Sequence, residues 1–183
     1  MLAPPVASDR AYAAYLLLCN TLLRLPGHRL RIAVLRGLVR AEVGAGCAIE
    51  RGVQITTKGG LRIGDGTNVN SGGLLDGRGG LTIGRRVNIS PEVAVLTAEH
   101  DPQSGSFDGR VRPVVIGDGA WLAYRALVLP GAVVGEGAVV AAGAVVRSTV
   151  AARTIVAGNP ATPIAARDAG AQAELEPYRR FLH

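Results

Sequence analysis

The sequence predicts an all-β solenoid, a parallel β-helix, from two observations. The first is a six-residue repeat of apolar side chains, and the second is a chain composition of 48% hydrophobic residues with only 4% aromatics. An α-helix turns once every 3.6 residues and cannot keep a period of six on one face, whereas a short strand followed by a corner can. Small branched side chains suit the narrow interior of stacked coils, which bury one continuous apolar column.

The repeat covers most of the chain. Its members are small or branched apolar residues six apart: Val43, Ile49, Ile55; Ile63, Val69, Leu75; Ile83, Ile89, Val95; and Ile116, Leu122, Val128, Val134, Val140, Val146. Glycine often follows such a position, as at Gly64, Gly84, Gly117 and Gly135. We expect these glycines to supply the positive φ angles of tight corners. Backbone ordering offsets most of the gain from burial, so we also expect the solenoid to need end caps or partners.

The chain divides into an N-terminal helical segment (1–40), a solenoid (41–166) and a C-terminal tail (167–183). Helix is expected from about Asp9, with Asp9 or Ser8 as N-cap, and a break at Pro26-Gly27. In the tail, a short helix over 171–178 is expected to cap the last coil, because an open solenoid end is an exposed sheet edge.

The segment His28–Arg40 is basic and amphipathic, and it allows two interpretations. It could lie on an anionic membrane surface as a peripheral contact. The favoured alternative is that it packs against the first coil with its arginines in solvent; these are Arg29, Arg31, Arg36 and Arg40. The apolar stretch Ala11–Leu23 lacks the basic start of a cleavable signal and is too short to span a bilayer.

Two cysteines, Cys19 and Cys47, have neither disulfide nor metal spacing. A reducing compartment is the simpler interpretation, so the expected location is the cytoplasm, with the inner face of the membrane left open. Cys47 falls in the first coil, where packing is favoured over nucleophilic chemistry.

One interruption of the repeat predicts the functional region. After Val95 the repeat stops, and it resumes only at Ile116, across a polar segment with two prolines. Such a break in a regular solenoid usually marks the face that carries function. His100 stands at its start, whereas the other histidines, His28 and His183, lie outside the coils.

Several strings in this region resemble one family. They are IGRRVNIS (83–90) with TAEHD (97–101), PVVIGDGAWLA (113–123), LPGAVVGEGAVVAAGAVV (129–146) and IVAGNPA (155–161). Their order is similar to that of the hexapeptide-repeat acetyltransferases over residues 41–167. The branch with galactoside, maltose and nodulation-factor enzymes, and with colanic-acid-type exopolysaccharide enzymes, is most similar.

This resemblance implies a left-handed β-helix that assembles as a homotrimer with active sites between subunits. It implies O-acetyl transfer from acetyl-CoA, as co-substrate and without a metal, to a hydroxyl of a sugar or polysaccharide precursor. His100 would be the general base, since a neutral imidazole can accept a proton near pH 7.

The resemblance also assigns binding residues. Asn70 and Asp76 would contact the acceptor, although both residue types are also common at β-helix corners. The acetyl-CoA side would be formed by the remaining positions, which are Trp121, Ala123, Tyr124, Ala142, Gly143, Arg147 and Arg167. The two arginines are inferred from the charge of the phosphates rather than from a motif. The chain departs from the family at Ala123-Tyr124, at 147–149 and at Thr162.

Other classes fit less well. A carbonic anhydrase of the same fold needs three zinc-binding histidines, and His28 and His183 are misplaced for that. The net charge of +6 could suggest nucleic acid, but aromatics for stacking are scarce, and an anionic cofactor or acidic polysaccharide suits the charge better. A purely structural solenoid, or an acetyltransferase acting on serine or an antibiotic, remains an alternative.

Overall fold

The computed structural model describes residues 10–168, in which short strands and tight turns wind into the expected parallel β-helix with three sheets. The first sheet contains β1 (Glu42–Val43), β4 (Leu61–Ile63), β7 (Leu81–Ile83), β12 (Val114–Ile116) and β15 (Val133–Val134). The second contains β2 (Ala48–Ile49), β5 (Asn68–Val69), β8 (Asn88–Ile89), β13 (Trp121–Leu122), β16 (Val139–Val140), β18 (Thr154–Ala157) and β19 (Thr162–Ala166). The third contains β3 (Gln54–Ile55), β6 (Leu74–Leu75), β9 (Ala94–Val95), β14 (Leu127–Val128) and β17 (Val145–Val146).

The residues of the six-residue repeat stack into three columns, which confirms the fold prediction. In the third sheet, for example, Leu75 pairs with Ile55 and with Val95, and each of these three side chains is at most 1% exposed. Early coils are two residues longer than later ones, since Arg62 pairs with Glu42 but Val133 with Val115. Among the strands of these three sheets in residues 10–168, β19 alone departs from the parallel order, because it turns back antiparallel to β18.

The expected role of the glycines that follow the repeat positions was wrong. Positive φ occurs instead two residues further on, for example at Gly66 and Gly119, and Arg86 adopts it at the same corner. Gly64 and Gly117 are required for a different reason: a Cβ would lie 2.6 Å from backbone atoms of the next coil. Neighbouring coils therefore approach too closely at this corner for any side chain.

The helical segment contains α1 (Arg10–Leu22), α2 (His28–Ala33) and a π-helical turn (Val34–Leu38), with the predicted break before His28. It covers the open edge of the first coil, where each strand receives one polar side chain. Arg36 donates to the carbonyl of Val43 in β1 (Nη2–O 2.7 Å). Arg31 donates to Ile49 in β2 (Nε–O 2.6 Å), and the Asn20 amide both donates to and accepts from Ile55 in β3.

This packing corrects part of the prediction for the basic segment. It does pack on the first coil, but its arginines are not all in solvent, because Arg31 is 1% exposed and Arg36 binds backbone. A guanidinium with several N–H donors can satisfy carbonyls that a sheet edge would otherwise leave unpaired. The expected N-cap at residues 8–9 and the tail helix at 171–178 lie outside the described residues.

Candidate active site

The interruption of the repeat folds as a β-hairpin, formed by β10 (Ala98–His100) and β11 (Gly109–Val111). Ion pairs join its two strands: Glu99 contacts Arg110 at 2.9 Å and Arg112 at 2.7 Å, and Asp101 contacts Arg110 at 3.2 Å. Antiparallel pairing sets His100 opposite Gly109. The hairpin therefore holds His100 on regular structure at the surface of the solenoid.

The imidazole of His100 is exposed and is oriented by Phe107. Its Nδ1 lies 2.8 Å from the carbonyl oxygen of Phe107, and the two rings stack at 4.4 Å with an interplanar angle of 7°. A carbonyl can only accept, so Nδ1 carries the proton and the neutral ring keeps its lone pair on Nε2. Phe107 holds this arrangement with a positive φ of 52°, an uncommon conformation outside glycine.

Asp76 lies at the base of the hairpin and is fully buried. Its Oδ2 accepts the N–H groups of Thr97 (3.0 Å) and Ala98 (3.1 Å), and its Oδ1 accepts from the Thr56 hydroxyl and the Arg78 guanidinium. Burial alone would raise the pKa of this carboxyl, but the hydrogen bonds from Arg78, Thr97 and Thr56 lower it to about 2. Both oxygens are thus occupied by the chain itself, which does not support the expected contact with an acceptor.

The three sheets form the sides of a triangular prism, and the turns between two sheets form its edges. Asn70 lies on the edge whose turns join the second and third sheets (50–53, 70–73, 90–93, 123–126, 141–144), which we call the 2–3 edge. Its amide donates to the Ile89 carbonyl (2.7 Å) and lies 3.3 Å from Oδ1 of Asn88. Asn88 in turn pairs with Asn68, whose Oδ1 is the buried side-chain oxygen without a partner among the described residues. The neighbouring amides form a polar patch beside Asn70.

Five of the residues expected to bind acetyl-CoA lie along or beside the same 2–3 edge. Trp121 is 42% exposed, stacks in register with Asn88 and donates to the Ser90 hydroxyl (3.0 Å). The Tyr124 carbonyl accepts the N–H of Gly143 (2.9 Å), which brings their turns together. Ala142 and Gly143 are exposed and Ala123 is buried.

The two arginines are placed elsewhere. Arg147 is exposed and follows the third sheet, on the edge from which the hairpin leaves; we call this the 3–1 edge (56–60, 76–80, 96–113, 129–132, 147–149). Arg167 is half-buried, and its Nη1 donates to the carbonyls of Gly119 (3.0 Å) and Gly137 (2.9 Å), at turns between the first and second sheets. Within one chain, the predicted residues are therefore divided among three edges.

Sequence reasoning missed Phe107, Asn68 and Asn88. Phe107 belongs to a polar loop, and nothing in its neighbourhood indicates which carbonyl meets the imidazole. The two asparagines did leave a signal, because they occupy equivalent positions of successive coils, in TNVN (67–70) and VNIS (87–90).

Cys47 is buried, with Sγ 3.2 Å from the Gly64 carbonyl, and burial raises the pKa of its thiol. That environment fits packing rather than a nucleophile. Among residues 10–168, no three His, Cys, Asp or Glu side chains are grouped to hold a metal ion. The same residues include no helix of the length and apolar character needed to cross a membrane.

The family profile of bacterial transferase hexapeptide repeats (six repeats) matches residues 113–148. WcaF of Escherichia coli (strain K12), a provisionally assigned colanic acid biosynthesis acetyltransferase, is 36% identical over 140 residues, 76% of each chain. The protein of the same name from Shigella flexneri matches equally well.

Solved structures share the architecture. A maltose O-acetyltransferase from Clostridium difficile 630 superposes with a TM-score of 0.78 at 25% identity, covering 88% of this chain and 91% of that one. A hexapeptide-repeat acetyltransferase from Vibrio cholerae, solved with acetyl coenzyme A, has a TM-score of 0.80 at 24% identity, covering 90% and 91%. A galactoside acetyltransferase solved with coenzyme A has a TM-score of 0.77 at 20% identity, covering 89% and 86%.

The Vibrio and galactoside structures show the shared left-handed β-helix fold. The identity and coverage of the WcaF match go further, and with the repeat profile they show that the chain belongs to the hexapeptide-repeat acetyltransferases, enzymes that transfer acyl groups.

Proposed function

We propose that the protein is an O-acetyltransferase that moves the acetyl group of acetyl-CoA to a hydroxyl of a saccharide, with His100 as general base. The observation that carries this proposal is the contact between Nδ1 of His100 and the Phe107 carbonyl. It leaves Nε2, on an exposed imidazole, as the ring atom able to accept a proton.

The reaction needs no covalent enzyme intermediate. Nε2 of His100 takes the proton of the acceptor hydroxyl while its oxygen attacks the thioester carbonyl. The tetrahedral intermediate collapses, the C–S bond breaks, and the imidazolium returns the proton to the departing coenzyme A sulfur. General-base assistance of this kind contributes roughly 10²–10⁴-fold, and holding both substrates in place supplies more.

The division of residues among edges supports a site shared between subunits of a homotrimer. His100 leaves from the 3–1 edge, whereas Asn70, Trp121 and Tyr124 belong to the 2–3 edge. Threefold assembly would bring the 3–1 edge of one subunit to the 2–3 edge of the next. The pantetheine arm would then lie along the exposed turns of Tyr124 and Gly143, and Arg147 would meet the phosphates.

A saccharide acceptor is supported by the polar patch of Asn68, Asn70 and Asn88. Amides both donate to and accept from hydroxyls, and the buried Oδ1 of Asn68 has an unused acceptor position. A ring stacks readily on the apolar face of a sugar, and Trp121 is exposed next to the patch. The maltose enzyme and the galactoside enzyme are named for sugar acceptors.

The test measures coenzyme A thiol release from acetyl-CoA with a panel of acceptors: galactosides, maltose, acidic oligosaccharides, lipid-linked sugars, serine and a streptogramin. His100→Ala is expected to lower turnover by roughly 10²–10⁴-fold, while His28→Ala, in the helical segment, leaves it unchanged. Undiminished transfer by His100→Ala would overturn the general-base assignment. Exclusive use of serine or the streptogramin would overturn the saccharide assignment.

Subunit sharing is tested by complementation. His100→Ala and Asn70→Ala are each prepared as inactive homotrimers, then mixed by reversible unfolding. Recovery of activity in the mixture is expected, because some clefts then combine intact residues from two subunits. A monomer with full activity, or no recovery despite proven mixing, would contradict a shared cleft.

A further inference from the structure

The outward face of α1 is apolar, which is unusual for a helix on the surface of a protein. Its exposed positions are spaced three and four residues apart and include Ala13, Ala14, Leu17 and Leu18. Leu17 is 70% exposed and Leu18 52% exposed, although the opposite face of the helix already packs through Cys19 on the solenoid. A surface helix normally turns its polar side outward.

The apolar surface continues past the break between the helices. Leu25 is 43% exposed and Leu30 38% exposed, and Pro26 lies exposed between them. We call the exposed side chains Leu17, Leu18, Leu25 and Leu30 the leucine face. It lies on the cap at one end of the solenoid, away from the strands that carry the hairpin.

Within residues 10–41, the charged residues beside the leucine face are all cations. Arg10 stands at the start of α1, and Arg24 and Arg29 stand near its other end, all exposed. No Asp or Glu occurs from residue 10 to residue 41. None of these three arginines takes part in an ion pair with another residue of the described range 10–168.

Over residues 10–41, the helical segment has leucines that face outward, arginines at the margins and no acidic residue of its own. This is the pattern of a helix that lies in a lipid interface. The leucines can enter the boundary between headgroups and acyl chains, while the arginines meet anionic headgroups. Two such helical segments facing each other would bring their cationic margins together, with no acidic residue from the 10–41 range of either segment between them, which is unfavourable.

We propose that the leucine face docks the protein on an anionic membrane surface, with α1 parallel to the bilayer plane. The docking is peripheral and uses neither His100 nor the turns that carry Asn70, Tyr124 and Gly143, so it stands independently of the transferase reaction. Its consequence is that acceptors carried by lipid would meet an enzyme already held at the same surface.

The experiment is vesicle flotation of the full chain with two compositions, phosphatidylcholine alone and phosphatidylcholine mixed with phosphatidylglycerol. Binding is expected to the mixed vesicles, and it should weaken as salt is raised because the charge contribution is screened. The double variant Leu17→Glu, Leu18→Glu should lose at least about tenfold in binding. Arg24→Glu with Arg29→Glu should lose a similar factor, since each cation near the surface contributes.

The matched control is Ile164→Glu, which places the same charge on another exposed apolar side chain, 63% exposed in β19. It should bind vesicles like the unchanged protein, and circular dichroism should show all variants folded. Equal binding to both vesicle types, or none to the anionic ones at low salt, would overturn the proposal. Light scattering of the double leucine variant provides a further check. If this variant loses subunits from the assembly, the leucine face contacts a second copy of the chain, and the membrane proposal is overturned.

Discussion

The carboxylate of Asp76 accepts the backbone N–H of Thr97 at 3.0 Å, and the Thr97 hydroxyl donates back to the Asp76 carbonyl at 2.9 Å. This reciprocal pair lies where the chain leaves the third sheet to begin the hairpin. Three residues later comes His100. We infer from these contacts that Asp76 is a positioning residue, which orients the first strand of the hairpin.

Asp76→Asn should lower the free energy of unfolding near neutral pH and make that free energy depend less on pH in the acid range. Because the folded state lowers the pKa of this carboxyl from 3.8 to about 2, its stabilising contribution is complete above pH 4 and is lost as the pH falls toward 2. The shift corresponds to about 2 kcal/mol near neutral pH. Denaturant unfolding near neutral pH should give a free energy of unfolding lower than that of the unchanged protein by about that amount. Between pH 4 and pH 2 the free energy of unfolding should fall less steeply in the variant. Glu136→Gln, an exposed carboxylate change, is the control, and an unaltered pH dependence in Asp76→Asn would contradict the assignment.

Phe107→Ala should impair catalysis through the imidazole rather than through substrate binding. It removes the ring that stacks on His100 while keeping the carbonyl that accepts from Nδ1. A less restrained imidazole should lower kcat by about tenfold to a hundredfold. Steady-state kinetics should find the KM for acetyl-CoA nearly unchanged, as they should for the control Gln103→Ala in the same hairpin. A raised KM with normal kcat would place Phe107 in the binding surface instead.

Asn20→Ala should uncap the third sheet. The Asn20 amide donates to the Ile55 carbonyl (3.0 Å) and accepts the Ile55 N–H (2.9 Å), so its loss leaves two backbone groups of an edge strand unpaired. We expect a loss of about 2 kcal/mol or more in the free energy of unfolding, measured with urea. Thr21→Ala, exposed on the same helix, should change it little, and equal effects of the two substitutions would argue against capping.

Gly117→Ala should destabilise the solenoid although its φ suits any residue. The added Cβ would lie 2.6 Å from the backbone nitrogen of Glu136 in the next coil, and backbone cannot move aside as a side chain could. The expected cost is about 1–3 kcal/mol, by denaturant unfolding. Gly105→Ala provides the control, since nothing lies within 4 Å of its added Cβ. A neutral Gly117→Ala would show that the coils can separate at this corner.

The amino-acid sequence by itself determined the solenoid, because a six-residue period of small apolar residues has one economical solution: short strands stacked in columns. It also located the hairpin, since a break in a strict period is visible without coordinates. Sequence resemblance indicated His100 within that break.

Tertiary structure decided what depends on contacts between distant residues. Gly117 must lack a side chain, and Asn20 and Arg31 close the first coil, because of partners on another coil or far along the chain. The carbonyl that orients His100 is closer in sequence, but it is set by how the hairpin folds. The fate of Asp76 shows the difference most clearly. As a residue type it could have faced an acceptor, but in the folded chain its oxygens are saturated by Thr56, Arg78 and Thr97. Periodicity is a property of neighbours in sequence, whereas saturation of a buried carboxylate is a property of neighbours in space.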